Sequence, residues 1–241
     1  MFSDSVDLPG YPMGNDIIPY IEMCRRESQS LQRGMNFQVG GTHSVILMSV
    51  RPGAPYDDEL DSTGTTLIYE GHDVNRTHIT RDPKRLDQPM YFPSGRLTQN
   101  GLFFEAATEY KKGNRLPERV RVYEKIKGGI WSYNGMFHLV DAWLNKSASR
   151  QVFKFKLVAV EGEEDLSRPI PKEVVVRRII PTAVKLEVWK RDEGRCVTCG
   201  ATTDLHFDHI IPWSRGGSSS DVANIQLLCG RHNLEKSNHI Q

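Results

Sequence analysis

Apolar residues in the first 160 positions fall into short runs separated by stretches rich in glycine, proline and charge. Four runs are rich in β-branched and aromatic residues, and they lie at 44–50, 65–69, 119–123 and 151–160. The last two runs alternate apolar with polar positions, which is typical of half-buried strands. Residues 17–33 and 100–111 are predicted to be helical. Together these segments predict an α+β domain with a curved antiparallel sheet.

The apolar pattern breaks between residues 161 and 181. Acidic residues occupy most of 161–165, and Pro169 and Pro171 follow a few positions later. Because such a composition cannot continue a sheet or a helix, it predicts a linker. We therefore divide the chain into a domain of residues 1–160, a linker of 161–181 and a second domain of 182–241. Within this boundary region, 174–180 is predicted to be a strand or an extended segment.

The second domain opens with a predicted helix at 182–192, in which Val184, Val188 and Trp189 are spaced to pack against the cysteine-containing segment after it. Beyond that segment, an apolar stretch ends at Pro212, a Gly/Ser-rich stretch comes next, and a second apolar stretch ends at Cys229. Residues 231–237 are predicted to form a short helix. The order is strand, loop, strand, helix.

The charges of the chain are balanced, with 31 Lys and Arg against 30 Asp and Glu and a formal net charge of +1. Any attraction to nucleic acid must therefore come from charges gathered on one face. We expect no membrane segment and no secretion signal, because no long apolar run is present. Cys24 is isolated in sequence, which favours a reducing compartment, and we expect a bacterial cytoplasmic protein.

Four residues in the second domain have the spacing of a zinc site. Cys196 and Cys199 form one Cys-x-x-Cys pair, and Cys229 and His232 repeat that spacing. Three thiolates and one imidazole complete a tetrahedral shell, so the zinc ion is predicted to be structural and to stabilise folding. A segment this short builds little core unaided, which makes such an ion useful.

Between and beyond these ligands lie Asp208-His209, Asn224 and Asn233-x-x-Lys236. With the cysteines, this order resembles the HNH nuclease family, whose zinc-supported members have a ββα-metal fold. The resemblance implies that Asp208 and Asn233 bind a divalent ion and that His209 is the general base. It also implies that Asn224 braces the loop carrying His209 by hydrogen bonds, and that Lys236 contacts phosphate.

The residue types suit phosphodiester hydrolysis. Water must lose a proton as it attacks phosphorus, and a neutral imidazole with an ordinary pKa near 6.5 can accept it. Negative charge grows on the phosphate and on the leaving oxygen, and hard oxygen ligands such as those of Asp208 and Asn233 suit Mg²⁺ or Mn²⁺ equally. His206, one alternation away from Asp208, is a possible neighbour of the site or has no role.

The first domain resembles the SRA, or YDG, family of modified-cytosine readers. The resemblance rests on motifs in matching order, which are Gly34-x5-Gly40-Gly41-x-His43, the segment from Tyr56 to Asp61, Leu67-Ile-Tyr69-Glu-Gly71, Lys127-Gly-Gly129 and Tyr133-Asn-Gly135 through Trp143. The chain departs from the family in two places. The family's Tyr-Asp-Gly is Tyr-Asn-Gly here, and its glycine-rich run after the second tyrosine is reduced to Glu70-Gly71-His72-Asp73.

The SRA resemblance implies that a cytosine is flipped out of the duplex and held between aromatic faces. Tyr56 and Tyr69 match the stacking pair. A carboxylate would accept a hydrogen bond from the exocyclic amine of cytosine. The family's spacing, counted from Tyr56, places this role on Glu59, and Asp58 is the alternative because the interval between the tyrosines is one residue longer here. The basic segment 74–85 is predicted to engage DNA, with phosphate contacts from Arg76, Arg81, Lys84 and Arg85.

These features predict a modification-dependent DNA endonuclease of the type IV-like restriction class, in which an SRA-like domain senses 5-methylcytosine or a related base in double-stranded DNA. Cleavage of both strands requires two nuclease sites, which favours a homodimer. Two alternatives stay open. One is a reader of modified DNA that does not cleave, and the other is a sequence-specific HNH endonuclease or nickase acting on unmodified DNA.

Overall fold

A computed structural model describes residues 15–31, 33–62, 64–75, 82–160, 179–212 and 215–236. Ten strands are present in these ranges: β1 (Asp16–Pro19), β2 (Met35–Val39), β3 (His43–Met48), β4 (Glu59–Leu60), β5 (Thr66–Glu70), β6 (Glu118–Lys127), β7 (Ile130–Ser147), β8 (Arg150–Ala159), β9 (Leu205–His209) and β10 (Ile225–Cys229). The α-helices are α1 (Tyr20–Arg26), α2 (Gln99–Lys111), α3 (Thr182–Arg191) and α4 (Gly230–Lys236). The predicted α+β class is confirmed.

All ten strands belong to one hydrogen-bonded sheet. Its main path runs β10-β9-β1-β7-β6-β3-β2, and β8, β5 and β4 continue from the second half of β7. Neighbouring strands are antiparallel except for β3 and β6, which are parallel. The antiparallel sheet predicted from the sequence is therefore correct apart from this one pair.

The helix prediction for 17–33 is wrong at both ends, because the observed helix covers only Tyr20–Arg26. Asp16–Pro19 forms β1, which pairs with β7 on one edge and with β9 on the other. Ile17 and Ile18 are β-branched and favour a strand, and Pro19 restricts Ile18 to an extended conformation. Helix α1 begins only after Pro19 and ends at Arg26, close to Ser28, whose φ is 51°.

Three apolar clusters of described residues lie along the sheet, and the third contains Met23 of α1 with Val45 and Tyr123. The largest one packs α2 against the central strands, with Phe103 and Ala107 against Ile46, Val122 and Phe155. The second packs α3 on β9 and β10, where Val184, Val188 and Trp189 share a cluster with Cys196 and Cys229. The predicted packing of this helix against the cysteine-containing segment is confirmed.

Several predicted segments lie outside the described residues. They are 174–178 of the boundary region, most of the 161–181 linker, Arg76 and Arg81 of the basic segment, and His239. In the parts of the chain that the structure covers, no helix has both the length and the apolar character needed to span a membrane.

Candidate functional site

Asp208 and His209 stand at the end of β9, where the strand passes into a loop. The Asp208 carboxylate accepts a hydrogen bond from Gln226 on β10 at 3.2 Å, and it pairs with the ammonium group of Lys236 at 2.9 Å. Lys236 also donates to the carbonyl oxygen of His209 at 2.5 Å. Helix α4 is thereby tied to the end of β9 through two contacts with adjacent residues.

The ammonium group of Lys236 is not placed at the surface. The residue is 3% exposed, and its contacts are with the protein itself. The phosphate contact implied by the family resemblance stays a prediction. Within the described residues, Lys236 contacts the carboxylate of Asp208 and the backbone of His209.

His209 is buried, and its Nε2 lies 2.8 Å from the hydroxyl of Ser219. Ser219 belongs to the loop between β9 and β10, so this loop folds back over the imidazole. A hydroxyl at that distance fixes the orientation of the ring. The sequence motif gave no indication of Ser219, because nothing in the order of residues predicts how this loop returns.

Asn224 closes the same loop with its amide group. Its Oδ1 accepts from the backbone N–H of Ile211 at 2.8 Å, and its Nδ2 donates to the carbonyl oxygens of Ile211 and Ser218 at 3.2 and 3.0 Å. Gly217 makes this approach possible, since a Cβ there would overlap the carbonyl oxygen of Ile211 and crowd Nδ2 of Asn224. The loop that leaves His209 is thus held by one side chain.

Asn233 is half-buried on α4, three residues before Lys236. Residues three apart share one face of a helix, so Asn233 lies on the face that meets the end of β9. Both contacts to the Asp208 carboxylate made by described residues fall on Oδ2, which leaves Oδ1 available to a cation. The hard oxygen donors of Asp208 and Asn233 suit Mg²⁺ or Mn²⁺.

The four predicted zinc ligands come together. The ligand atoms of Cys196, Cys199, Cys229 and His232 all lie within 4.8 Å of one another. Nδ1 of His232 is 3.4 Å from the sulfur of Cys196 and 3.3 Å from that of Cys229. This cluster could hold a zinc ion, and its three sulfurs and one nitrogen would leave no open position for water.

A second candidate site is a cavity of about 1130 Å³ whose walls come from the part of the chain before β8, including the beginning of α2 and the turn between β6 and β7. Its walls include Tyr56, Asp58, Tyr69 and His72. Tyr56 comes from the loop between β3 and β4, and Tyr69 comes from β5. The two predicted stacking residues therefore lie at one cavity.

The sequence left open whether Asp58 or Glu59 is the carboxylate of the base pocket, and the structure places these two side chains differently. Asp58 lines the cavity and is 9% exposed, whereas Glu59 is exposed on β4. The Asp58 carboxylate accepts from the backbone N–H groups of Ser49 and Glu70, both at 3.0 Å. Burial raises the pKa of Asp58 to about 6, even though these two hydrogen bonds oppose the shift.

His72 is an aromatic side chain at this cavity that sequence reasoning did not assign. Its ring stacks on Tyr56 with centroids 5.2 Å apart and an interplanar angle of 17°. Its Nε2 lies 3.0 Å from the hydroxyl of Tyr69. The one signal in the sequence was a histidine where the resembled family has a glycine-rich run.

A buried network of ion pairs lies next to the cavity. Arg150 bonds Asp73 at 2.5 Å and Glu70 at 3.4 Å, and Lys154 pairs with Glu70 at 3.3 Å. These side chains fix the ends of β5 and β8 around the segment that carries His72. They were not among the candidate residues because their pairing depends on how distant strands meet.

Lys84 and Arg85 are the predicted DNA-contacting residues that lie in the described part of the chain, and their surroundings differ. Lys84 pairs with Asp73 at 2.9 Å, bonds the carbonyl oxygen of Pro55 and lies 4.0 Å from the centroid of the Tyr56 ring. Its charge is thus engaged by residues that line the cavity. Arg85 is exposed and pairs with Asp82, at 3.0 Å, in the same short turn.

Part of the chain matches a protein-family model. Residues 196–239 match the HNH endonuclease family. The chain is 27% identical over 182 residues to the histone-lysine N-methyltransferase family member SUVH2 of Arabidopsis thaliana, a match that covers 73% of this chain and 26% of that protein. The chain thus spans about a quarter of the length of the curated relatives it matches.

Two solved structures are similar at lower identity. The SUVH5 SRA domain, bound to fully hydroxymethylated CG DNA, is 22% identical with a TM-score of 0.45, over 65% of this chain and 94% of that one. The modification-dependent TagI restriction endonuclease is 19% identical with a TM-score of 0.42, over 95% of this chain and 79% of that one. The residues matched to the HNH endonuclease family include the zinc-site cluster, Asp208 and His209, and they form an HNH domain.

Proposed function

We propose that this protein is a modification-dependent DNA endonuclease. It flips a cytosine that carries a 5-methyl or related group into the cavity, and it hydrolyses nearby phosphodiester bonds at the HNH site. The observation that supports the proposal is the joining, on one continuous sheet, of an HNH domain to a cavity lined by Tyr56, Asp58 and Tyr69. A nuclease site and a cavity lined by aromatic side chains, present in one chain, suit DNA cleavage that depends on a base held in the cavity.

In the nuclease site, His209 accepts the proton of the attacking water, with its ring oriented by Ser219. Asp208 and Asn233 would hold a Mg²⁺ or Mn²⁺ ion, which when bound stabilises negative charge on the scissile phosphate and leaving oxygen. Lys236 and Gln226 orient the Asp208 carboxylate for that role. Asn224 keeps the loop after His209 in one conformation.

In the cavity, aromatic faces stack on the flipped base, and the Asp58 carboxylate accepts from the exocyclic amine of cytosine. Thymine has no such donor, so the carboxylate favours cytosine. Exposed Arg85 would contact the DNA backbone, and Arg76 and Arg81 would do so from the same segment. Double-stranded DNA containing modified cytosine is the partner that this arrangement suits.

Each chain supplies one HNH site, and one such site cuts one strand. We expect two copies of the chain to act together for double-strand cleavage, most simply as a homodimer on a symmetric or doubly modified site. An enzyme that cuts only modified DNA would have a type IV-like role in restriction.

The test uses matched plasmids that are unmodified, 5-methylated or 5-hydroxymethylated, incubated with Mg²⁺ or Mn²⁺. The protein is compared with His209→Ala and with Tyr56→Ala. We expect cleavage only of modified plasmids, loss of cleavage in His209→Ala with binding retained, and loss of modified-DNA preference in Tyr56→Ala.

The other outcomes identify the alternatives. Tight binding of modified DNA without cleavage in either metal would indicate a reader that does not cut. Equal cleavage of the unmodified plasmid, unchanged in Tyr56→Ala, would indicate a sequence-specific endonuclease or nickase and would refute the proposal.

A further inference from the structure

We propose that the flipped base is held between the ring of Tyr56 and the imidazole of His72, with Tyr69 acting as a positioning residue. The inference rests on the proposed function and changes one wall of its base pocket. It departs from the pair of tyrosines that the family resemblance implies. It rests on the relative orientation of three rings and on the way in which each ring is held.

Tyr56 and His72 already form a parallel pair, at 5.2 Å between centroids and 17° between planes. Parting two parallel rings by the thickness of one base produces a slot with a stacking face on each side. Tyr69 is oriented differently, at 50° to His72 with centroids 6.2 Å apart. A tilted ring beside the stack does not offer the second parallel face.

Tyr69 has another use in the structure. The residue is 1% exposed, and its hydroxyl lies 3.0 Å from Nε2 of His72. The hydroxyl fixes the rotation of the imidazole about its side-chain bonds. Tyr69 therefore acts on the base through His72.

The backbone of His72 is fixed as well. The side-chain amide of Asn100, at the beginning of α2, accepts from the N–H of His72 and donates to its carbonyl oxygen, both at 2.8 Å. Gly34 lies at the Nε2 edge of the imidazole, so close that a Cβ there would lie 2.7 Å from Nε2. His72 is thus held both at its backbone and at this edge of its ring.

Tyr56 is the wall that can move. It is half-buried in a loop between β3 and β4, and its hydroxyl accepts one long hydrogen bond, of 3.5 Å, from the N–H of Asp73. Opening the slot therefore displaces Tyr56 and leaves His72 in place. Asp58 lines the same cavity and is available to the edge of a base stacked there.

The imidazole is suited to stacking at physiological pH. Burial lowers the pKa of His72 to about 4, against the opposing effect of Asp73, so the ring is neutral. A neutral ring stacks on a base without the cost of desolvating a charge inside the cavity.

The experiment measures binding of a duplex with a single 5-methylcytosine and of the same duplex unmodified, by fluorescence anisotropy. All variants are made in the His209→Ala background so that no DNA is cut. Replacing His72 with Ala removes one stacking face, and we expect affinity for the modified duplex to fall about 5- to 150-fold. Affinity for the unmodified duplex should stay the same.

Two further variants make the test specific. His72→Phe keeps an aromatic face of similar size, and we expect most of the lost affinity to return. Tyr69→Phe removes only the hydroxyl, and we expect a smaller loss than in His72→Ala. Thermal unfolding of each variant establishes that the fold is retained, and His72→Phe decides the matter if His72→Ala does not fold.

The results that overturn the inference are distinct. If the base stacks on Tyr69 and His72 merely fills the slot, His72→Ala will bind the modified duplex as tightly as the parent or more tightly. Equal losses in His72→Ala and His72→Phe would exclude stacking as the role of the ring. Equal binding of both duplexes by the parent protein would refute the proposed function itself.

Discussion

The ammonium group of Lys185 lies 2.7 Å from Oδ1 of Asn134, and both side chains are buried. Lys185 is on α3 and Asn134 is on β7, so the contact joins the nuclease half to the half that carries the cavity. Glu124 on β6 completes the cluster, 2.9 Å from Lys185 and 3.0 Å from Nδ2 of Asn134. Lys185 is a cation, Glu124 is an anion and Asn134 is neutral, so the cluster has no net charge.

This balance explains a departure from the resembled SRA family. Tyr133-Asn134-Gly135 stands where the family has Tyr-Asp-Gly. An aspartate at this position would place a second carboxylate beside Glu124 with a single cation between them. The amide supplies the acceptor that Lys185 needs and adds no charge.

We predict that Asn134→Asp lowers the free energy of unfolding by about 3–5 kcal/mol at pH 7, because it buries an uncompensated charge. Burial raises the pKa of the new carboxyl, so the penalty should shrink as the pH falls and the group is protonated. Urea denaturation at pH 7 and pH 5 measures both effects. Asn145→Asp, at an exposed position of the same strand, is the control, and equal losses in the two variants would contradict the prediction.

The zinc site gives a second prediction. Cys229→Ser removes one of four ligands, and we expect the bound zinc to fall from about one ion per chain to near zero. Because structural zinc contributes about 10–16 kcal/mol in small zinc-dependent folds, the nuclease half should lose its structure. Elemental analysis and thermal unfolding are the measurements.

Cys24→Ser is the matched control for the zinc experiment. Cys24 lies on α1, outside the four-residue cluster, so its replacement should leave the zinc content unchanged. Retention of zinc in Cys229→Ser would show that the cluster is not the zinc site.

A third prediction concerns the loop held by Asn224. Asn224→Ala removes three partly buried hydrogen bonds to the backbone of Ile211 and Ser218, at a cost of about 0.5–1.5 kcal/mol each. We expect faster hydrogen exchange at the Ile211 amide and slower DNA cleavage.

Asn224→Asp separates the two effects of that amide. The carboxylate still accepts from the N–H of Ile211, but it cannot donate to Ile211 and Ser218. We therefore expect slow exchange at Ile211 to be retained while the loop loses stability. If Asn224→Ala leaves exchange at Ile211 unchanged, Asn224 does not hold the loop.

A fourth prediction concerns the carboxyl of Asp58. Burial raises the pKa of this group to about 6 in the folded protein, against about 4 for an unfolded chain. The folded state therefore holds the proton more tightly, and the contribution of Asp58 to stability falls as the pH rises from about 4 to about 6. Two pKa units correspond to about 3 kcal/mol.

The measurement compares the protein with Asp58→Asn across this pH range. The difference between their free energies of unfolding should change by up to that amount between pH 4 and pH 6, and should be constant above pH 7. A difference that is flat throughout would show that the pKa of Asp58 is ordinary.

The nuclease half could be predicted in detail because its chemistry is local in sequence. The zinc ligands and the residues at the end of β9 all lie between Cys196 and Lys236, and their order alone resembles the HNH family. Spacing did not reveal that Lys236 is buried against Asp208. Whether a helical lysine faces solvent or a strand end depends on how α4 docks, which is a tertiary property.

In the first half of the chain, the sequence predicts only those strands whose own residues show a regular pattern of apolar positions. β1 was mistaken for the beginning of a helix, because its partners lie far away in the sequence and four residues carry little periodicity. His72 was missed for a similar reason. Its contact with Tyr56 is made by the folding of a loop onto a strand end, and the motif directed attention to the tyrosines alone.

Strand β1 pairs with both β7 and β9, and this pairing affects the order in which the sheet forms during synthesis. Asp16 on β1 bonds His206 on β9, 190 residues later. At synthesis rates of about 5–20 residues per second, roughly 10–40 s separate the two strands as they emerge from the ribosome. Strands β2 to β8 can already be paired during that interval, whereas β9 has yet to be translated. Strand β9, which bears Asp208 and His209, is thus added together with β10 to a sheet whose other eight described strands precede it in the chain.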